Sequence, residues 1–456
     1  MDLVQYLVGR GAEVNHTTLT SSMPLRAASF NGHTEVVRFL LSHGAEVNKR
    51  NQDGNTCVMV ACWNGHLGTF NLLRISGAEL DVKDKQGFSM IHCATAANNL
   101  TLLHELLSSG LDVNAATVDG ITPLMLACEK NHPDVTRLLL QQGADVNKRS
   151  EKGLTAVHFC ALSCSLASLR HLIESNADLS TPTERGSTSL MLACAKGFVK
   201  IVTALLARMT SDSLRREMSS SALNINPYVR HTIVEHSELA AGINAVNENN
   251  ETSLIVACEK GNPDIVRLLL RSGANPNLPD KNGITPLMIA ARKGSEEIVK
   301  QLLANRADVN NRDKDSNTAL HICLMHMKEF TGHKNCLDLM LRNGADLQAR
   351  NKDGNTPMEV ALKGKLWNGQ AVEMLHKQGA ELITEMKDSN QETAFHKCCR
   401  SGWLDVLSNA LLSETVDKNF VPFNLLSNCG SQVFVAVTIT NPVLNPGFCI
   451  WTEIFT

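Results

Sequence analysis

Aromatic side chains are scarce in this chain: two tyrosines, four tryptophans and thirteen phenylalanines make up 4% of 456 residues. So few large rings argue against one thick globular core and for thin layers closed by aliphatic side chains. An excess of either charge is also missing. The net charge of −3 argues against a chain devoted to nucleic acid. No apolar run has the length of a membrane span, and no secretory leader is recognisable. A phosphate-binding glycine loop, a nucleophile elbow and an HExxH pair are absent as well. The chain therefore reads as non-catalytic, with no cofactor implied.

What is present is a phrase that returns. Its cleanest copies are Thr122-Pro123-Leu124-Met125 with Ala127, and Thr285-Pro286-Leu287-Met288 with Ala290 and Ala291. Each is followed by an apolar stretch such as Val135 to Leu140 and then by Gly-Ala-Asp-Val-Asn or a variant of it. Taking the Thr position as anchor, copies start at Met23, Thr56, Ser89, Thr122, Thr155, Thr188, Thr252, Thr285, Thr318, Thr356 and Thr393. Most intervals are 33 residues, so one supersecondary unit is repeated along the chain. The residue types explain why the unit folds. The anchor hydroxyl can cap a helix, and the proline after it loses no hydrogen bond there. Ala or Cys five and six residues on lets helices approach closely. Glycine two residues before the anchor (Gly54, Gly87, Gly120, Gly153, Gly186, Gly283, Gly354) suits a turn tip with positive φ. Stripes such as Val36-Val37 with Phe39-Leu40-Leu41 give the second helix a buried face.

The phrase and its period resemble the ankyrin repeat, over about residues 16–414. The resemblance implies an all-α fold: an ankyrin-repeat solenoid with a β-turn and two antiparallel helices per repeat, about eleven repeats after a partial first one. Such an array works through its long surface. The organisation expected is repeats over 1–208, an insertion or degenerate repeat at 209–243, repeats again over 244–414, and a non-repeat apolar tail at 415–456. Met1 falls inside a second helix, Leu3 to Val8, which suggests an incomplete first repeat. The anchor interval from Thr188 to Thr252 is 64, so about 31 residues are extra. That excess is close to a full period, which favours a decayed repeat or a partly helical insertion over a protruding loop. A smaller insertion lies at 327–334. Within the tail, residues 419–456 carry one charge, Glu453, and read as a poorly packed terminus prone to aggregate.

Phase also sorts the chemistry. Cys62, Cys128, Cys194, Cys258 and Cys399 share one repeat position, and Cys160, Cys323 and Cys398 sit one residue earlier. They read as buried small fillers whose free thiols suit a reducing compartment, cytoplasmic or nuclear. His92, His158, His321 and His396 fill the fourth place of the phrase and read as histidines that hydrogen-bond between neighbouring turns. A metal-like spacing, Cys323-x2-His326 and His333-x2-Cys336, is a weak zinc candidate, because its six intervening residues are short for a zinc module.

The positions seven and eight after each anchor are the candidates for binding, since by analogy they look onto the concave face. Phe30 and Trp63 are aromatic there, one repeat apart, and large rings make hot spots for a peptide partner. Further along come Lys130, Lys196, Lys260, Arg292 and Lys293, a ridge that is either a solvated face or a seat for an acidic peptide. The turn tips add Arg50, Lys83, Lys85 and Arg149, and loops on a rigid scaffold are common binding elements.

A narrower resemblance rests on Val14-Asn15-His16-Thr17-Thr18, Pro24-Leu25-Arg26-Ala27-Ala28, Asn55-Thr56-Cys57 and Asn64-Gly65-His66. These residues, with Phe30 and Trp63, are similar to the Fem family, as is the stretch from Val146 through His158. Fem proteins are ankyrin substrate receptors of cullin ubiquitin ligases that hold the C-terminal tails of clients. The resemblance implies a protein or peptide partner and cullin ligase components. It covers about a third of the array, and no adaptor-docking box is recognisable in the tail.

Overall fold

The computed structural model describes residues 1–19, 21–220, 242–327, 330–363 and 369–380, and only the backbone at 211–220, 330, 331, 363 and 369. The repeat at Thr393, with His396, Cys398 and Cys399, and the tail 415–456 lie outside the described residues.

Among the described residues the secondary structure is helical, apart from one isolated bridge between Lys83 and Ser89. A single helix, Asp2–Gly9, is followed by helix pairs, and each anchor stands at or just before the first helix of its pair. Thr56 caps helix Cys57–Trp63 by accepting from the Met59 N–H at 3.4 Å, and Thr122 caps Pro123–Glu129 from Met125 at 3.3 Å. Thr188 and Thr252 do the same for Ser189–Lys196 and Ser253–Lys260. The second helices, such as Thr34–Ser42 and Pro133–Gln141, bury alternate turns of their apolar stripe: Val37 with Leu40, Val135 with Leu139.

The chain divides into two compact units, 1–289 with 304–307, and 290–303 with the described residues from 308 on. Within the first unit neighbouring turns are joined by one backbone hydrogen bond per layer. Lys85 N donates to Asp53 O at 2.8 Å, Val118 N to Gln86 O at 2.8 Å, and Glu151 N to Asp119 O at 2.9 Å. In the second unit Lys352 N donates to Asp315 O at 2.8 Å. Glycine at the tip makes this approach possible: a Cβ on Gly120, at φ +73°, would stand 2.9 Å from Glu151 N and 3.0 Å from Ser150 Cα.

A second row of bonds explains the asparagine that closes the Gly-Ala-Asp-Val-Asn phrase. Asn48 Nδ2 donates to Gly77 O at 3.1 Å while its Oδ1 accepts from Glu79 N at 3.0 Å. Asn15 and Asn114 bridge to the following repeat in the same two-handed way, as does Asn310 in the second unit. Each amide therefore satisfies a carbonyl and an N–H of the chain just past the end of the next second helix. Asp81 and Ser180 occupy this position in two repeats. A carboxylate has no N–H to give, so the Asp81 rung can form at most on its accepting side.

The interruption between Thr188 and Thr252 adds no layer among the described residues. Glu248 N donates directly to Arg185 O at 3.0 Å, and a Cβ on Gly186 would meet Asn247 Cα at 3.0 Å. The first helices of these two repeats pack together as neighbours. The extra residues leave instead through the second helix, which runs from Val199 to Ser220, 22 residues against nine in Pro133–Gln141. Residues 221–241 of the insertion lie outside the described residues. The smaller insertion likewise sits in a second helix, Phe330–Arg342, of 13 residues.

One buried group is at odds with its surroundings. Thr95 is fully buried and its hydroxyl has no partner. It holds the phase that Cys62, Cys128, Cys194 and Cys258 fill elsewhere. Thr95→Cys is expected to stabilise the chain by about 1 kcal/mol, because an unpaired buried hydroxyl carries its desolvation cost alone. A melting temperature that falls in this variant would show that the hydroxyl is satisfied.

Candidate functional site

The fourth residue of each phrase ties turn to helix. Where it is histidine, Nδ1 accepts the anchor N–H: Ser89 N lies 3.2 Å from His92, Thr155 N 3.1 Å from His158 and Thr318 N 3.3 Å from His321. This fixes Nε2 as the protonated nitrogen, free to donate forward. His92 reaches Ile121 O at 3.0 Å and His321 reaches Asn355 O at 3.1 Å. His158 Nε2 is buried and closes no hydrogen bond of normal geometry, although the Ser187 backbone lies nearby. Burial pushes His92 and His158 down to about 4 and lowers His321, so all three are neutral at pH 7. They act as struts. Where methionine replaces histidine, its sulfur takes the same N–H, Thr122 to Met125 at 3.5 Å and Thr285 to Met288 at 3.4 Å. In the first full repeat Arg26 serves instead, donating to Ser21 O, Lys49 O and Asn55 O.

Ahead of these struts a depression of about 350 Å³ opens across three successive repeats. Phe30 and Trp63 stand on it, 55% and 41% exposed, at the ends of helices Pro24–Phe30 and Cys57–Trp63. Met59, Val60 and Cys93 add apolar lining from the first helices, and Phe88 comes from the turn of the next repeat. The Trp63 and Phe88 rings meet edge to face, centroids 5.7 Å apart at 81°. Asp84 also lines the depression while folding its own turn: Oδ1 accepts from Gln86 N at 2.9 Å and Phe88 N at 2.8 Å. Phe30 and Trp63 stand out by their repeat phase, whereas Phe88 and Asp84 lie in the turn and do not. The signal was faint, a lone aromatic directly before an anchor.

Below the rim His66 Nε2 donates to Phe30 O across 2.9 Å, and Gly32 leaves room for its ring. The second unit repeats this arrangement, with His333 Nε2 3.2 Å from Arg292 O over Gly294. That contact bears on the zinc spacing. His333 is turned to a backbone carbonyl, His326 Nδ1 lies 3.1 Å from Ile322 O, and Cys323 Sγ points to His333 O at 3.6 Å. Burial raises both thiols, Cys336 to about 12 and Cys323 further still. Among the described residues no three His, Cys, Asp or Glu side chains converge as a metal site.

The basic candidates are scattered. Lys130, Lys196 and Lys260 are exposed in the first unit; Lys293 is exposed and Arg292 half-buried in the second. At the turns Arg50 donates to Lys83 O at 3.0 Å and Arg149 to Pro182 O at 2.8 Å. Both guanidiniums therefore join successive turns. Lys83 and Lys85 remain exposed beside Asp84. The tips are not uniformly basic, since exposed Glu151, Glu184 and Glu248 occupy the place of Lys85 in three later repeats.

Cysteines 57, 62, 93, 128, 160, 194, 258, 323 and 336 are buried as free thiols, and Cys164 is the exposed one among the described residues. Burial raises Cys62 and Cys160 well above the ordinary thiol value, which makes them poor nucleophiles.

A family model for ankyrin repeats in three copies matches residues 1–84, 59–150, 90–182 and 222–313, and a single ankyrin-repeat model matches 315–352. Among curated proteins no match is found. No helix among the described residues is long and apolar enough to cross a membrane.

Proposed function

The chain belongs to the ankyrin-repeat family, and on that premise we propose that it is a non-catalytic scaffold holding a peptide segment of a protein partner over the Phe30–Trp63–Phe88 depression. The observation that carries this reading is the exposure of two large rings on one apolar hollow, 55% for Phe30 and 41% for Trp63. Rings left to water cost solvation, and a partner that covers them gains their full burial. Lys130, Lys196, Lys260, Arg292 and Lys293 are secondary contacts in this reading, and Lys83 and Lys85 flank the hollow. Arg50 and Arg149 contribute through the turns they join. The arrays at 1–208 and 244–414 are the binding frame, with 209–243 inserted and 415–456 appended. The buried free thiols support a reducing compartment, cytoplasm or nucleus.

A second reading is favoured by one observation. Asn55 and Asn64, which belong to the stretch similar to the Fem family, line the same depression. In this reading the chain is a substrate-receptor subunit of a cullin ubiquitin ligase. Affinity capture followed by mass spectrometry separates the two, because a cullin that co-purifies supports the ligase reading and client capture without one supports the plain scaffold. Phe30→Ala with Trp63→Ala is expected to weaken partner capture at least ~100-fold, since each hot-spot ring is worth about 2 kcal/mol. Helical content should be unchanged. Undiminished capture by this double variant would overturn the groove assignment.

A further inference from the structure

We propose that the depression receives the methylated ammonium group of a lysine side chain on the partner; this rests on the groove assignment above and names what the groove selects. Three of its lining residues are aromatic, Phe30, Trp63 and Phe88, and one is a carboxylate, Asp84. No Lys, Arg or His lines it. Aromatic faces attract cations through the ring quadrupole, tryptophan most strongly, and the attraction grows as the cation sheds water.

The choice among cations follows from Asp84. Its Oδ1 is taken by two backbone N–H groups, which leaves one oxygen, Oδ2, for a ligand. A guanidinium needs two coplanar acceptors for its fork, and a bare ammonium is strongly hydrated and donates three hydrogen bonds. One charged oxygen, with only neutral amides beside it, gives the fork no second carboxylate oxygen and repays little of an ammonium's hydration. A trimethylammonium group has no N–H to satisfy and a diffuse charge, so it gives up water cheaply and needs only the rings and the neighbouring negative charge. The amides of Asn55, Asn64 and Gln86 also line the depression, and a group without N–H asks nothing of their oxygens. Lys83 and Lys85, exposed on the same turn, disfavour a densely basic peptide and leave room for an isolated cation.

The test uses the full chain and three capped amino acids: N-acetyl-trimethyllysine methylamide, the unmethylated lysine compound, and the neutral carbon isostere carrying a tert-butyl group. Binding is read from the indole N–H resonances of the four tryptophans, with Trp63 identified by the signal lost in Trp63→Phe. The trimethylated compound is expected to shift the Trp63 resonance and to bind about 5-fold or more tightly than either other compound. Asp84→Asn should narrow that gap, and it should fold, because Asn51 and Asn247 hold the equivalent turns. Equal binding of the neutral isostere overturns the cation and leaves the groove standing. Lysine binding as tightly as trimethyllysine overturns the methyl selectivity. No Trp63 shift with any compound overturns the inference, and the Phe30/Trp63 capture experiment then decides separately whether the groove is used at all.

Discussion

Gly120→Ala is expected to lower stability by about 3 kcal/mol, against about 1 kcal/mol for Gly143→Ala, counting backbone strain in both and a steric clash in the first alone. Both glycines have positive φ, +73° and +85°, so both variants put a Cβ in a backbone region that L-residues avoid. The difference is what that Cβ meets. At Gly143 nothing lies within 4 Å, whereas at Gly120 the Glu151 nitrogen lies at 2.9 Å and Ser150 Cα at 3.0 Å. Those are backbone atoms and cannot rotate away. Relief requires the two turns to part, which stretches the Glu151 N to Asp119 O bond of 2.9 Å. In a stack each layer is stabilised by its neighbours, so a weakened junction costs more than its own bond. Thermal melts of the two variants check this. Equal losses would mean that the close approach of turns contributes nothing.

The second large effect is an acid-dependent loss carried by the histidine struts. Burial lowers the folded pKa of His92 and of His158 to about 4, from an unfolded value of about 6.5. The unfolded chain therefore binds more protons between these values, and stability falls as pH drops through that window. The contribution is fully present above pH 6.5 and is lost progressively toward pH 4. By pH 4.5 the loss is on the order of 2 to 3 kcal/mol for each histidine. Met125 and Met288 show what replaces them, since a thioether accepts the same anchor N–H and cannot be protonated. His92→Met with His158→Met should leave the acid limb of the stability profile distinctly shallower, with little change at pH 7. Denaturant melts at several pH values measure it, and parallel profiles for wild type and variant would refute the strut mechanism.

These two predictions mark how much the residues announced. Capping at Thr56, Thr122 and Thr188, positive φ at Gly87 and Gly120, and the neutral role of His92 and His321 all follow from phase, because each depends on contacts made at the same step in every repeat. The depression was half legible. Phe30 and Trp63 break the pattern within their own helices and so stand out. Phe88 and Asp84 matter because the next turn folds over Trp63, a contact that no local pattern encodes. Arg50 and Arg149 show the same limit: charge at a tip suggests a ligand, and the acceptor that each one meets in the chain is a carbonyl one turn along. The zinc spacing says nothing of direction: His333 Nε2 is turned to the Arg292 carbonyl and His326 Nδ1 to that of Ile322. The asparagine ladder was visible in most copies of its phrase, yet its meaning needed the bond partners.

The direct bond from Glu248 to Arg185 gives the interruption a further meaning. The two turns meet directly, so the register of the repeats anchored at Thr188 and Thr252 does not depend on how many residues lie between them. Length can therefore change beyond Ser220 while that junction is kept. A protein built this way can acquire a new module in one genetic step, without renegotiating the contacts that hold its binding face.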